Sequence, residues 1–559
     1  MKTMDAIHDY EYYEAHAKDV KIEDITSDEY NTVLLAGLRD NNDPDFTYIS
    51  ITTSNTGQAY EFEVREGDHL GWLGYFVGRS KQLKNIHIES FPENSKHLNE
   101  FFRGLGQNRT IRNIQIGVDL EENFQSLVPF LTNNKSLRVL NFIGFQIGLQ
   151  CARNIAFLVG LIPSLQRLEF DGADIDHLGF LHIVIALKKV PRIEALELNV
   201  HNDSLGIRRD GCVALGRMLE GWRSPNLEYL ILNGDIEDEG LHALVAGLRN
   251  CHNMTSVRLR GNRSVTEAGL KSLSTIFQSD NCRLELLDLA RMNIGDDGMG
   301  VLAAGPASLP SLKRLILRDN CIGDQGVRTF VDGMAQRCNL RELDLSYNRL
   351  ITSDGLASFS SLLRAEHCSL RTLSLYGINI GDEGATALAN GLRGSKSLRE
   401  LGINGSSITA RGWDAFSRLL CDTFSVNNTY LSNHTLVHIG MFRMGGTPQN
   451  IVEVLKLNEL QFRAAAICKI LHSYPDIDVT PLFEFNLKCL PLVVAWLEKA
   501  KIYKIKVKES IEVFHSRQLS TVYKFIRGAP QLVADGYRRQ KMKDIQSDAK
   551  KRKRKRKFT

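Results

Sequence analysis

Apolar residues recur along most of this chain in the pattern Leu-x-x-Leu-x-Leu. It stands in LKRLILRDNCIGDQGVRTFVDGM from Leu312, LRELDLSYNRLITSDGLASFSSLL from Leu340 and LRTLSLYGINIGDEGATALANGL from Leu370. Aligned on the first apolar residue, the units begin at Leu137, Leu165, Ile193, Leu227, Met254, Leu284, Leu312, Leu340, Leu370 and Leu398. The steps are 28, 28, 34, 27, 30, 28, 28, 30 and 28 residues. Weaker units begin at Leu83 and Ile111, and another begins at Leu436 after a step of 38, which places an insertion around 421–433. A period this steady marks a repeat array and has to be read before any local structure.

Each unit predicts the same elements. The alternation at Leu315 and Leu317 gives a short strand with one buried face. Ile322 then turns inward to seal the core. Asp296, Asp324, Asp382, Thr266 and Thr409 stand where an N-cap would accept the free N–H groups of a helix. Gly recurs at 240, 269, 298, 326, 355, 384 and 412, where a side chain would crowd the turn. Apolar residues such as Leu241, Leu244, Leu248 and Leu270, Leu273, Phe277 then form one helical stripe. Such a unit cannot bury its apolar face alone, but stacked units can. The fold class read from this is an α/β solenoid with an inner parallel sheet and outer helices.

These units resemble the leucine-rich repeat superfamily. The helical period near 28 is similar to the ribonuclease-inhibitor-like subclass, which includes the arrays of Ran GTPase-activating proteins and NLR receptors. The resemblance covers roughly residues 83–440, about 12–13 units, and it implies a curved horseshoe capped at both ends. Residues 1–82 are read as an N-terminal cap, with strands in DFTYISITTS and YEFEVREG and a helix in DHLGWLGYFVGRSKQL. Residues 441–540 lose the period and are read as a helical C-terminal cap, and 541–559 as a disordered basic tail.

Charge changes the picture only at that tail. The formal net charge is +4, but Lys550, Lys551, Arg552, Lys553, Arg554, Lys555, Arg556 and Lys557 supply eight cations. The rest of the chain holds 61 basic against 65 acidic residues. The tail resembles a nuclear localisation signal that an import factor would read. A nucleic-acid arm is the secondary reading, with salt-sensitive and sequence-blind affinity. The start has no apolar h-region and no run reaches 18 apolar residues, so neither secretion nor a membrane span is expected. The ten cysteines then read as reduced thiols, and sequons such as Asn108 as chance. The expected location is the nucleus, the cytoplasm or both.

Candidate chemistry is absent from the pattern. No G-x-x-x-x-G-K-S/T, H-E-x-x-H or G-x-S-x-G occurs, so no catalytic residue, metal or cofactor is predicted. The polar residues that face the concave side include Glu197, Asn199 and Arg291, and the candidates among them are Tyr229, Arg258, Arg260, Asp288, Arg314, Arg318, Asp344, Tyr347 and Tyr376. Arginine and tyrosine are enriched among interface hot spots. The leading expectation is a non-enzymatic scaffold that holds a protein partner on this face. The alternatives are a regulator of a small GTPase, which the resemblance alone implies, and a nucleic-acid-associated protein acting through its tail.

Overall fold

The structure is a computed structural model that describes residues 10–474 apart from 55–59, 65–68, 92–96, 118–126, 129–130, 133, 145, 173, 176, 200–206, 223–224, 279–281, 335–337, 405–406, 441–445 and 461. Most of the cap read over 441–540, and all of the basic tail, lie outside the described residues.

Among the described residues, 15 parallel strands form one sheet that organises the chain. Its strands follow chain order from Asn85–Ile88 to His438–Ile439. Tyr48–Thr52 continues the sheet beyond Asn85–Ile88, and Glu61–Glu63 forms its edge. The sheet therefore starts inside the segment read as a cap. Ile49 and Ile51 are fully covered and pair in register with Ile86 and Ile88, so they supply the alternation the repeats use.

Helices follow the strands, as in Glu237–Leu248, Asp324–Met334, Ser353–Arg364 and Gly381–Leu392. All sheet strands point one way, so each helix must carry the chain back and the helices point the other. Packed helices sit roughly 8–10 Å apart, whereas neighbouring strands sit about 4.8 Å apart. That mismatch bends the stack into a horseshoe with the strands inside. Leu312, Leu315, Leu317 and Ile322 of one unit are each at most 1% exposed, and burying each such side chain contributes about 2 kcal/mol.

Polar groups hold the turns after the strands. Asn262, Asn320 and Asn348 are fully buried at one repeat position. The Asn348 amide donates to Leu317 O at 3.0 Å and Leu345 O at 2.8 Å. Its Oδ1 accepts from the N–H groups of Asn320 at 2.9 Å and Ile322 at 3.1 Å.

The aspartates do not cap their own helices. Asp324 opens the helix Asp324–Met334, yet its Oδ1 accepts from Thr352 N at 2.7 Å and Gly355 N at 3.0 Å, both in the next unit. Its Oδ2 accepts the Thr352 hydroxyl at 2.6 Å. Asp382 meets Thr409 and Gly412 in the same way, and Asp238 meets Thr266 and Gly269. Asp296 accepts from Gly323 N at 2.7 Å. Thr266, Thr352 and Thr409 are the true N-caps, each accepting from the N–H two residues on. The recurring glycine is the seat for this carboxylate. A Cβ on Gly355 would stand 2.4 Å from Asp324 Oδ1.

At the C-terminal end the insertion forms the short helix Val426–Leu431, followed by Gln449–Leu457 and Phe462–Ser473. The last helix docks a buried lysine: Lys469 Nζ donates to Leu420 O at 2.6 Å and Asn433 O at 2.9 Å. Cys251, Cys338 and Cys368 are buried, as small core residues, and Cys282 is half-buried. Asn108 is buried with its amide donating to Val77 O and Ser80 O, which leaves no free amide for glycosylation in the folded chain.

Candidate concave interface

All nine candidate residues stand on or just beyond the strands, on the face that the helices do not cover. Register places Arg258, Asp288, Ile316, Asp344, Ser374 and Gly402 in one row. Tyr229, Ser256, Leu286, Arg314 and Glu342 form the row beside it. Neighbours in a row are about 4.8 Å apart along the backbone, so a partner on this face reads several units at once.

The residues divide by what holds them. Asp288 Oδ1 accepts from Ala290 N at 3.0 Å, and Asp344 Oδ1 accepts from Ser346 N at 2.9 Å. Burial raises the Asp288 carboxyl above its usual range, against the Ala290 N–H and the nearby Arg258 and Arg260, which lower it. The side chains of Arg258, Arg260 and Arg314 make no ion pair or hydrogen bond among the described residues. They are free to engage a ligand.

Tyr347 and Tyr376 are spread across glycines. Arg318 lies over the Tyr347 ring at 4.3 Å, and a Cβ on Gly377 would stand 2.8 Å from that ring. Tyr376 lies over Gly402, where a Cβ would stand 2.6 Å from its ring, and its hydroxyl donates to Gly440 O at 3.3 Å. Small residues in the adjoining units thus open the floor on which each ring rests.

Some of this geometry was not foreseen. Gly261, Arg291, Asp319, Tyr347 and Gly377 share one repeat position and all have positive φ, 65° at Tyr347. A bulky residue is strained there. The signal was available, because two of the five are glycine. Arg291 and Asp319 pair at 3.4 Å on this row. A second site element is acidic: Arg167 bridges Glu169 at 3.4 Å and Glu197 at 3.3 Å, and lies 5.9 Å from the Tyr229 ring. Burial raises the Glu169 carboxyl, and the Glu197 charge adds to this.

No helix among the described residues is long and apolar enough to cross a membrane. A family profile described as Leucine Rich repeat matches residues 308–331, 336–360 and 366–389. The chain is 28% identical over 298 residues to ribonuclease inhibitor of Mus musculus, covering 47% of this chain and 62% of that protein. Against ribonuclease inhibitor of Sus scrofa it is 26% identical, covering 51% and 57%. Against NACHT, LRR and PYD domains-containing protein 5 of Mus musculus it is 26% identical, covering 50% of this chain but 24% of that protein. The matched region thus spans less than two thirds of each of these relatives. Repeat, sheet and relatives agree on a leucine-rich-repeat solenoid that is similar to the ribonuclease-inhibitor-like subclass.

Proposed function

We propose that this chain is a non-enzymatic receptor that holds a protein partner against the concave face between Tyr229 and Tyr376. The observation that carries the reading is the uncovered row of side chains itself. The side chains of Arg258, Arg260 and Arg314 make no ion pair or hydrogen bond among the described residues, and Tyr229 and Tyr347 stand 40% and 37% exposed beside them. Ribonuclease inhibitors by name act on an enzyme, which is a protein ligand, and this supports the same ligand class here. The proposal extends to location: the basic run 550–557 serves as an import address, so the protein enters the nucleus or shuttles.

The test is affinity capture of the native protein beside two variants, Arg258→Glu/Arg260→Glu/Tyr347→Ala and a deletion of 550–557. A dominant protein partner should be lost in the first variant and kept in the second, while the nuclear signal falls in the second. If captured material is chiefly nucleic acid and vanishes with the tail, the receptor reading fails.

A further inference from the structure

One backbone register runs along the array just ahead of each strand, every N–H donating to the carbonyl of the equivalent residue one unit earlier. Its charges are segregated. Lys84, Arg112 and Arg138 open it, Glu194, Glu228 and Glu285 occupy the middle, and Lys313, Arg341, Arg371 and Arg399 follow in unbroken succession. Like charges directly across neighbouring strands are destabilising. The leucine pattern is satisfied whichever residue stands at this position, so the fold has no need of the stack.

The two cationic stretches differ in how many exposed cations they leave without an ion pair or hydrogen bond among the described residues: Lys84 and Arg112 in the first, and three in the second. Arg138 is committed, its Nη1 donating to the carbonyls of Lys135, Leu137 and Ser164. Lys313 pairs with Glu285. Arg341, Arg371 and Arg399 are exposed, and their side chains make no ion pair or hydrogen bond among the described residues. Glu342 and Glu400 follow two of them in the chain but lie on the concave row, where Glu400 accepts the Thr372 hydroxyl. The stretch therefore borders the concave row of Arg314, Glu342, Thr372 and Glu400.

Length selects the ligand. Four strands put Lys313 about 14 Å from Arg399, and an extended chain carries same-side residues roughly 6.7 Å apart. About five extended residues with alternate acids would cover the stretch. A nucleic-acid strand lying along the register would run on to Glu285, Glu228 and Glu194 and be repelled. Guanidinium groups bind carboxylates bidentately.

We propose that Lys313, Arg341, Arg371 and Arg399 bind an acidic extended segment of the partner protein. This rests on the reading of the adjoining concave face as a receptor.

The probe is a fluorescein-labelled peptide of alternating Glu and Ser, titrated with the full chain at low and physiological salt. Its affinity should fall about tenfold or more in Arg341→Glu/Arg371→Glu/Arg399→Glu and less in the matching glutamine variant, which guards against misfolding. Raising the salt should weaken it as well. Glutamine in place of the cations at 550–557 should leave the ladder-dependent part intact. Peptide binding that is absent, insensitive to both triple variants, or lost only with the tail overturns the proposal. So does ladder-dependent binding of a 20-base-pair RNA duplex with no binding of the peptide. The two readings fail separately. Partner capture abolished by the Arg258/Arg260/Tyr347 variant with no peptide binding removes only the ladder, and the reverse removes only the concave face.

Discussion

At the scale of single residues, the joints between units are hydrogen bonds that a local reading assigns to the wrong helix. Asp324 looks like the cap of its own helix and instead serves Thr352 and Gly355 one unit later. Asp324→Ala should cost about 1–2 kcal/mol in urea denaturation. Asp324→Asn should cost less, because it keeps an acceptor for the two N–H groups. At Asp382 the Thr409 hydroxyl, then the Thr409 N–H, hold the carboxyl below its usual range. Its contribution is present above the unfolded pKa and lost as pH falls through the folded one. Tyr347 gives a second prediction. Its backbone has φ of 65°, so Tyr347→Gly should be more stable than Tyr347→Ala by about 1 kcal/mol in thermal unfolding. The residues on the sheet face could be placed from the sequence, because alternation fixes which side chains point outward. The aspartate joints could not, because they depend on a neighbour a full unit away, and the left-handed row showed itself only in the two glycines among its five residues.

At the scale of elements, the docking of the helix Phe462–Ser473 responds to pH. Burial lowers Lys469 from 10.5 to about 7, and burial followed by the Lys469 charge lowers His434 from 6.5 to about 4. Between pH 7 and 10.5 the unfolded chain holds a proton that folded Lys469 has released, so stability rises with pH across that window. His434 acts lower down: the stability of its neutral form is lost as pH falls from 6.5 toward 4. Hydrogen exchange in residues 462–473, corrected for intrinsic rates, should therefore slow from pH 7 to 10. Lys469→Met should remove that slope, and a slope that persists would place its origin elsewhere. The strands and helices of the array were legible from periodicity. This helix was legible as a helix, but its buried lysine was not, since Lys469 takes its surroundings from Leu420 and Asn433 in other elements.

At the scale of the whole molecule, each unit touches its neighbours and stability is close to a sum over nearest-neighbour interfaces. A break in the middle should uncouple the halves. Gly355→Val would drive side-chain atoms into Asp324 Oδ1, and scanning calorimetry should then resolve two transitions where the native array shows fewer. The horseshoe was readable from a period near 28, whereas its first strands, before the leucines begin, were not assigned to the sheet. The shared direction of the helices has one more consequence. Their N-terminal ends gather on one edge with Asp238, Asp296, Asp324 and Asp382, and the opposite edge carries Lys313, Arg341, Arg371 and Arg399. Each helix end contributes only about half a charge, so the full side-chain charges set the sign on both edges. Across the units from Lys313 to Arg399 the array is electrically polarised from edge to edge and exerts a torque on any polar body within a Debye length. A partner would be turned to face the correct edge before the surfaces meet, and salt would slow its arrival more than hasten its departure.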